Sequence, residues 1–310
     1  MNLIKELNDG DRLIIQALVG NVNQGTNKSG SPYLNVELRD SSGVLNSKKW
    51  EISDEDYDIF VTGNIVEVMI EVIKYNDALQ GKILNTKLLN ADEIDVTRFI
   101  KAPPIKKEIL VERFFKLVNS IKDSDCKNIL DYFLKKFGET VFIAPAASSV
   151  HHEFSSGLLM HSVSIAEHVD YFAKFYNDIN RDIAVTGALL HDFGKMIELV
   201  GPAVYHYSTE GKLLGHISIM CGELRIAAKE LNINSEVPLL LEHIVLSHHG
   251  QYEFGSPILP LTREALLISM IDNLDSKMLV LDKALEDVKP GEFTQKIFPL
   301  DNRSFYKPLK

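Results

Sequence analysis

The chain has 310 residues, of which 45% are hydrophobic and 25% charged, and its formal net charge is −10. These values are typical of a globular protein and exclude a disordered or fibrous chain. The acidic balance does not indicate a protein that holds nucleic acid on a broad basic face, but it allows one that binds through metal ions and a local groove.

Membrane insertion and secretion are not expected. The sequence has no run of about 18 apolar residues, the length that a membrane span requires. Its start, MNLIKELNDG, lacks the apolar core of a signal peptide, which favours a cytoplasmic protein. Cys126 and Cys221 are isolated and form no CxxC motif, so we expect two small core residues rather than a disulfide or a thiolate zinc site.

Residues 1–90 are predicted to be rich in β-strands. The candidate strands are Arg12 to Val22, Tyr33 to Leu38, Val44 to Trp50, Gly63 to Ile73 and Gln80 to Leu89. The loop at 23–31 is rich in Gly, Asn and Ser, the acidic segment 51–58 is a loop or a short helix, and Asn76-Asp77 forms a tight turn. Five strands with a break in the middle and a hairpin at the end predict a small barrel of the OB type.

The segment YLNVELRDSSGVLNSKKW resembles the second and third strands of OB-fold nucleic-acid-binding modules. The resemblance implies that Tyr33, Lys48 and Trp50 face a single-stranded nucleic acid, with bases stacked on the two aromatic rings. Lys49 follows Lys48 directly, so on a strand it points to the opposite face. The alternative is that Tyr33 and Trp50 belong to the barrel core, because aromatic residues of strands often pack inward.

The rest of the chain is predicted to be helical. Residues 91–107 contain Pro103-Pro104 and few core residues, and are interpreted as a linker between two domains. The fold class is therefore multidomain, with an OB barrel at 1–90 and an all-α domain at 108–310. Predicted helices include Glu108 to Ile121, Asp125 to Phe137, Lys212 to Leu231, Val237 to His248 and Leu261 to Leu279, followed by an irregular tail from 288.

Residues 157–198, GLLMHSVSIAEHVDYFAKFYNDINRDIAVTGALLHDFGKMIE, carry the chemistry of this half. Apolar residues at helical spacing on either side of a polar break at 177–180 predict two consecutive helices, which normally pack antiparallel. That packing presents His161 to His191 and Asp192, whose imidazole and carboxylate groups are ligands for a divalent metal. Lys195, one turn further on, either neutralises a phosphate oxygen or is an ordinary cation at a helix end.

Three later segments can complete a metal shell. They contain His216 in LLGHISIM, His248-His249 in LSHHG, and Asp272 in SMIDNLDSKM. Asp272 interrupts a strongly apolar helix, where an unpaired carboxylate is costly, so a metal or a buried basic partner is expected beside it. Asp275 lies near the same face and either orients a ligating histidine or forms a solvated pair with Lys277.

The ordered set of one histidine, an HD pair and a late aspartate resembles the signature of the HD-domain metal-dependent phosphohydrolases. The implied ligands of a first metal ion are His161, His191, Asp192 and Asp272. A second ion would share Asp192 as a bridge and add His216 and His248. His249 competes with His248 for this place, whereas His243 points away from it on a regular helix and keeps a phosphate contact as its alternative role.

Histidine and aspartate ligation without cysteine favours an octahedral ion with open water positions. We expect two divalent ions, with manganese chosen ahead of cobalt, iron(II) and magnesium. Two such ions activate water for in-line attack on phosphorus, so a serine or cysteine nucleophile is not required. Asp192 and Lys195 are the predicted catalytic residues.

The whole chain resembles the YhaM-type 3′-to-5′ exoribonucleases of bacteria. The motifs that carry this resemblance are LRDSSGVLNSKKW, HHEFSSGLLMHSVSIAEH, LLHDFGK, LLGHI, SHHGQYEFGSP and MIDNLDSKM. It implies stepwise hydrolysis of single-stranded RNA, with DNA as a further substrate, to nucleoside monophosphates. In the HHEF loop, His151-His152 can hold a phosphate or a metal or are ordinary surface or core residues, and we assign His152 to nucleic-acid binding.

Two other functions remain compatible with the sequence. The first is an HD-domain phosphohydrolase of nucleotides or cyclic dinucleotides, which would turn over small substrates without the barrel. The second is a single-strand binding protein that is not catalytic. No membrane partner is expected, and a homo-oligomer is compatible with the sequence.

Overall fold

The computed structural model describes residues 3–27, 29–76, 78–90, 94, 96–99, 104–146, 156–201, 205–286 and 288–309. Two compact units divide the chain, namely Met1–Pro104 with Val200–His206, and Ile105–Leu199 with Tyr207–Lys310. Each unit has a hydrophobic core of its own. Much of the linker predicted at 91–107 lies outside the described residues, as does His152.

The first unit is a closed five-stranded barrel, as predicted. Its strands are β1 (Arg12–Thr26), β2 (Pro32–Asp40), β3 (Gly43–Trp50), β4 (Ile65–Tyr75) and β5 (Ala78–Leu89). The order around the barrel is β1-β2-β3-β5-β4. One part of β1 pairs with β4 and the other with β2, and a short parallel pairing of β3 with β5 closes the ring. A closed barrel of five strands is the architecture of the OB fold.

Two local details of the barrel concern the start of the loop after β1, which differs from the prediction, and the acidic segment 51–58, for which the sequence left two alternatives. The loop predicted from residue 23 begins four residues later, because 23–26 continue the β1 ladder and pair with β2 as far as Thr26 opposite Pro32. The acidic segment forms a helix, α1 (Asp54–Ile59), rather than a loop. Ser53 caps it, since its hydroxyl accepts the Asp56 N–H while the Asp56 carboxylate accepts the Ser53 N–H.

The second unit is helical. Its helices are α2 (Lys107–Ser120), α3 (Ser124–Phe137), α4 (Thr140–Ile143), α5 (Gly157–Phe172), α6 (Arg181–Leu190), α7 (Lys195–Glu198), α8 (Thr209–Glu230), α9 (Val237–Ser247) and α10 (Arg263–Glu286). Two short strands, β6 (Leu199–Val200) and β7 (His206–Tyr207), pair with each other. Among the described helices, none combines the length and the apolar composition that crossing a bilayer requires.

Helices α5, α6 and α10 pack together and form the frame of the second unit. The interpretation of α10 as a helix whose apolar residues around Asp272 are buried is wrong for two of them, because Met270 is 64% and Leu274 53% exposed. The buried stripe of α10 instead contains Ala265, Ile268 and Asp272, which recur at helical spacing. Asp272 and its neighbour Ile271 therefore face the core, whereas Met270 and Leu274 do not.

Candidate metal centre

The first predicted donors meet where α5 begins and α6 ends. His161 lies in the second turn of α5, and His191 caps α6 with its backbone N–H bonded to the Gly187 carbonyl at 2.8 Å. The Nε2 atoms of His161 and His191 are 3.3 Å apart, which requires the two helices to run antiparallel. The HD pair lies just beyond α6 rather than within it, because His191 is the C-cap of the helix and Asp192 follows in the next turn.

Asp192 lies between two groups of side chains that could ligate a metal ion. Its Oδ2 lies 3.5 Å from Nε2 of His161 and 3.5 Å from Nε2 of His191. His161 Nε2 is also 3.2 Å from Asp272 Oδ1, so these four side chains converge on one point. All four are buried, with 8% exposure at most.

The other oxygen of Asp192 faces a second group. Asp192 Oδ1 is 3.3 Å from Nε2 of His216 and 3.6 Å from Nε2 of His248. His216 and His248 come from different elements, the middle of α8 and the end of α9. Asp192 therefore has possible metal ligands on both sides, because each of its carboxylate oxygens is directed at a different group.

Each of these four imidazoles is fixed through its other nitrogen. The Nδ1 contacts are His161 with Asp275 Oδ2 at 2.8 Å, His191 with the Ala188 carbonyl at 2.8 Å, His248 with the Val245 carbonyl at 2.7 Å, and His216 with Glu198 at 3.3 Å. Carbonyl and carboxylate oxygens only accept, so in every case Nδ1 donates. A ring that carries only this hydrogen presents the Nε2 lone pair to the centre, as metal ligation requires.

The charges of the centre favour a cation. Burial is the largest single influence on Asp272 and opposes its ionisation, but the hydrogen bond with His161 and the charges of the surrounding histidines together outweigh it and lower the pKa of Asp272 to about 2. For Asp192, burial is likewise outweighed, by the charges of Lys195 and His191, and the pKa lies well below its ordinary value. Burial lowers the pKa of His248 to about 4, which keeps this ring neutral and able to ligate at neutral pH.

His161 differs from His248 in its protonation. Burial disfavours the protonated ring, yet hydrogen bonds with Asp272 and Asp275 prevail and raise the pKa of His161 to about 10. The acceptors around His161 are thus strong enough to hold a positive charge at this position. A divalent cation between Asp192 and Asp272 would take the place of that proton.

Unsatisfied atoms show that the residues fit a metal ion. Of the eight buried side-chain atoms without a hydrogen-bond partner in the described part of the chain, four belong to the centre: Asp192 Oδ1, His216 Nε2, His248 Nε2 and His249 Nδ1. Each such atom costs about 1–3 kcal/mol when it is left unpaired. All four lie among clusters whose nitrogen and oxygen donors are within 4.8 Å of one another. Donors of this kind, without sulfur, suit an octahedral divalent ion.

Lys195 is the cation of the centre. It begins α7, and its Nζ lies 2.6 Å from Asp192 Oδ2. Burial is the largest single influence and lowers the pKa of Lys195, but the charge and hydrogen bond of Asp192 and the charges of Asp272 and Glu198 together outweigh it, so the net shift of the pKa is upward and the ammonium stays charged. The structure therefore places Lys195 beside the predicted bridging carboxylate rather than at the carbonyl end of a helix.

His249 and His243 are the two remaining candidate histidines, and they differ in their distance from the centre. His249 lies beside the centre, with its ring centroid 4.2 Å from that of His248 and 5.5 Å from that of His216. The two neighbours are thus not strict alternatives, because both rings face the cluster. His243 is not brought to it, since its Nε2 accepts the backbone N–H of Leu261 at 2.8 Å. That bond uses only one of the two ring nitrogens, so the phosphate contact of His243 stays a prediction.

Two carboxylates support the ligating rings. The solvated pairing of Asp275, which the sequence slightly favours, is wrong, because Asp275 accepts hydrogen bonds from His161 Nδ1 and from Ser164 Oγ at 2.7 Å. Glu198 was missed entirely, although it contacts His216. The only available signal was its position one turn after Lys195, and its reach to His216 depends on the fold.

A glycine allows the HD turn to approach α8. An added Cβ at Gly194 would lie 2.1 Å from the backbone carbonyl oxygen of His216, which is far inside contact distance. A residue with a side chain at 194 would separate Asp192 from His216. The glycine of the LLHDFGK motif is therefore required by packing.

The predicted nucleic-acid face lies on the outside of the barrel. Tyr33 and Trp50 are paired across β2 and β3, with ring centroids 4.6 Å apart, and Lys48 Nζ lies 5.1 and 5.4 Å from the two rings. All three side chains are half-buried, so the core alternative for the aromatic pair is wrong. The core positions alternate with them and include Leu34 and Leu45.

A polar cavity adjoins this face. Its volume is about 500 Å³, and its lining is rich in carboxamides: Asn21, Asn23, Asn35, Val36, Glu37, Asn46, Ser47 and Gln80. Lys49 points to the other side of β3, as predicted, and its Nζ is 3.9 Å from Asp56. Aromatic rings, one cation and carboxamides are groups that contact bases rather than a series of phosphates.

The chain is similar to known proteins in both a family comparison and a comparison with curated sequences. Residues 158–277 match the HD domain family. The 3′-5′ exoribonuclease YhaM of Geobacillus sp. (strain WCH70) is 42% identical over 301 residues, which are 97% of this chain and 93% of that protein.

Solved structures with a similar barrel include two from proteins of other kinds. The second OB-fold domain of replication protein A from Methanococcus maripaludis is 23% identical, with coverage of 29% of this chain and 94% of its own and a TM-score of 0.24. A mitochondrial single-stranded DNA binding protein of S. cerevisiae is 17% identical, with coverage of 26% and 98% and a TM-score of 0.23.

Proposed function

The chain belongs to the family of the 3′-5′ exoribonuclease YhaM, and from this we propose that it shortens single-stranded RNA from the 3′ end with the help of two divalent metal ions. It is a hydrolase of the HD-domain class. The observation that carries the proposal is the position of Asp192, whose two oxygens face two separate groups of donors.

The donors assign the metal positions. His161, His191, Asp192 and Asp272 would hold one ion, and His216 and His248 would hold the other together with Asp192, within reach of His249. Manganese is our first choice, and cobalt, iron(II) and magnesium suit the same donors. When bound, the ions supply the Lewis acidity that lowers the pKa of a water and offsets negative charge at the phosphorus.

The residues of the chain have their own tasks at this site. Asp192 remains an ionised carboxylate because Lys195 and His191 offset the cost of its burial. The ammonium of Lys195 is held in place by Asp192, and from there it can neutralise a phosphate oxygen as charge develops. Asp275 and the carbonyl of Ala188 keep His161 and His191 in their ligating orientation.

The barrel would bind the strand. Tyr33 and Trp50 offer two ring faces on its outer surface, and Lys48 adds a cation above them. Stacking of a base on such a ring contributes about 1–3 kcal/mol and tolerates any sequence. Single-stranded RNA is the proposed substrate, with single-stranded DNA as a second, and nucleoside monophosphates are the proposed products.

One experiment tests the function. Single-stranded RNA labelled at its 5′ end is incubated with Mn²⁺ and the wild-type protein, and in parallel with Asp192→Asn. We expect a descending ladder and released nucleoside monophosphates with the wild type, and neither with the variant. Asp131→Asn, on the exposed side of α3, is the matched control and should behave as the wild type.

The same samples test the alternatives. RNA labelled at its 3′ end should lose its label as a mononucleotide at the first step. An RNA that stays intact while a nucleotide or cyclic dinucleotide is consumed would favour the small-molecule phosphohydrolase. An RNA that is bound but never shortened would favour the non-catalytic binding protein.

A further inference from the structure

Glu198 stands out among the groups that surround the metal centre. His191 and His248 are fixed by carbonyls of their own helices, whereas His216 is fixed by the side chain of Glu198 from another element. Glu198 ends α7, and its side chain is only 10% exposed. A buried carboxylate is costly unless it is hydrogen-bonded, so its contacts with His216 are significant.

The carboxylate makes two kinds of contact with His216. Its Oε1 accepts the backbone N–H of His216 at 3.0 Å, and the ring Nδ1 lies 3.3 Å from the carboxylate. An ionised carboxylate cannot donate, so Nδ1 carries the hydrogen. The unprotonated Nε2 is thereby left facing Asp192 Oδ1 at 3.3 Å.

The backbone contact arises from a break in α8. Gly215 adopts φ 71° and ψ 155°, so the helical hydrogen bonding starts anew at His216. The first N–H groups of a helical segment have no carbonyl partner within it, and a negative charge near them is favourable. Glu198 satisfies one of these groups, so a single carboxylate fixes both the backbone and the ring of His216.

Glu198 is itself held tightly. Its carbonyl accepts the Ser208 N–H at 2.9 Å, and the Ser208 hydroxyl accepts the Gly211 N–H at 2.8 Å where α8 begins. A Cβ added at Gly211 would lie 2.5 Å from the Glu198 carbonyl oxygen. The start of α8 is thus packed directly on Glu198, which leaves little freedom to its backbone.

We propose that Glu198 is the positioning residue of the second metal site and that binding of the second ion depends on it. The first site has its own support in Asp275 and the Ala188 carbonyl, so it does not require Glu198. This inference rests on the proposed function, because it takes the centre to hold two ions.

Titration of the full-length metal-free protein with Mn²⁺, followed by calorimetry, tests the proposal. We expect two ions to bind the wild type. In Glu198→Ala the first ion should bind as before, and the second should bind about 10- to 100-fold more weakly, the usual cost of removing a group that orients a ligand. Glu198→Gln keeps an accepting oxygen and should recover part of the loss.

Glu242→Gln is the matched control. Glu242 is also a buried carboxylate, but it pairs with Arg225 and contacts none of the proposed ligands among the described residues. This variant should bind both ions normally. Equal affinity of Glu198→Ala and the wild type for the second ion would overturn the inference and leave the proposed function standing. A wild type that binds no second ion would overturn both.

A second measurement needs neither metal nor substrate. Long-range ¹H–¹⁵N spectra of the histidine rings report which nitrogen carries the hydrogen, and His216→Asn identifies the His216 signals by their loss. In the wild type at neutral pH, we expect His216 to carry it on Nδ1. Glu198→Ala should increase the fraction of His216 rings that carry the hydrogen on Nε2. An unchanged thermal unfolding midpoint in Glu198→Gln is the check on folding. An unshifted tautomer in Glu198→Ala contradicts the inference.

Discussion

The metal centre and the outer face of the barrel hold their side chains in different ways. In the centre the ligand candidates are buried, and each imidazole is fixed by a second contact at Nδ1. On the barrel, Tyr33, Lys48 and Trp50 are half-exposed and contact one another. A buried ligand candidate that is fixed by a second contact cannot move to compensate when one atom of the centre is replaced. The exposed rings of Tyr33 and Trp50, by contrast, can move apart and admit a base. We therefore expect catalysis to depend on single atoms and RNA binding to depend on stacked area.

The largest effect should come from Asp192→Asn. An amide cannot serve both groups of donors as a carboxylate does, so we expect kcat to fall on the order of 10⁴-fold, the scale for losing a member of a catalytic unit. The dissociation constant for RNA, measured by fluorescence anisotropy without added metal, should not change. A large loss of RNA affinity would show that the two regions are not separable in this way.

A smaller effect is expected from Lys195→Met. The substitution removes the ammonium beside Asp192 and keeps most of the side-chain volume. We expect kcat to fall about 100-fold, the scale for removing one electrostatic contact in an active site. Calorimetry should still detect bound Mn²⁺. If metal binding disappears with activity, Lys195 supports the centre structurally instead of acting on the substrate.

Trp50→Ala should change binding rather than chemistry. Loss of one stacking platform corresponds to about 1–3 kcal/mol, so the dissociation constant for single-stranded RNA should rise about 10-fold. At saturating RNA, kcat should be unchanged. Val44→Ala, at an exposed outward position of the same strand, is the control. An equal weakening in that control would place the binding surface elsewhere.

The smallest effect concerns salt. Lys48 is a cation of the barrel face, and Arg39 on the same side of β2 is paired with Glu37. One neutralised phosphate predicts a slope of about −0.7 for log K against log salt concentration on a single strand. Lys48→Met should bring that slope close to zero. A much steeper slope in the wild type would mean that cations outside this face contribute to RNA binding.

Local patterns were sufficient to predict much of both regions. Alternation of apolar and polar residues in the sequence predicted β2 and β4, and buried and less buried positions alternate along both strands in the structure. Helical spacing of apolar residues around His161 and His191 predicted the two helices that bring these rings together. Asp272 was found because a carboxylate in an apolar helix needs compensation. Each of these predictions depends only on residues that lie close to one another in the sequence.

The failures concern contacts that the fold creates. Glu198 reaches His216, 18 residues away, because α8 breaks at Gly215. For Asp275, the solvated pair was slightly favoured over the orienting role because the sequence cannot show that His161 and Ser164 lie opposite it. The exposed side of α10 was misjudged because apolar composition alone does not show which face of a helix is covered.

The two imidazoles at 191 and 248 follow the last residues of α6 and α9, and each donates to a carbonyl three residues earlier. Final-turn carbonyls of a helix lack amide partners, and together they carry roughly half a negative charge at that end. Cations held between these rings would thus experience the negative poles of two backbones in addition to the carboxylates. Part of the affinity for metal is consequently independent of side-chain identity, and it should persist when an individual aspartate is replaced.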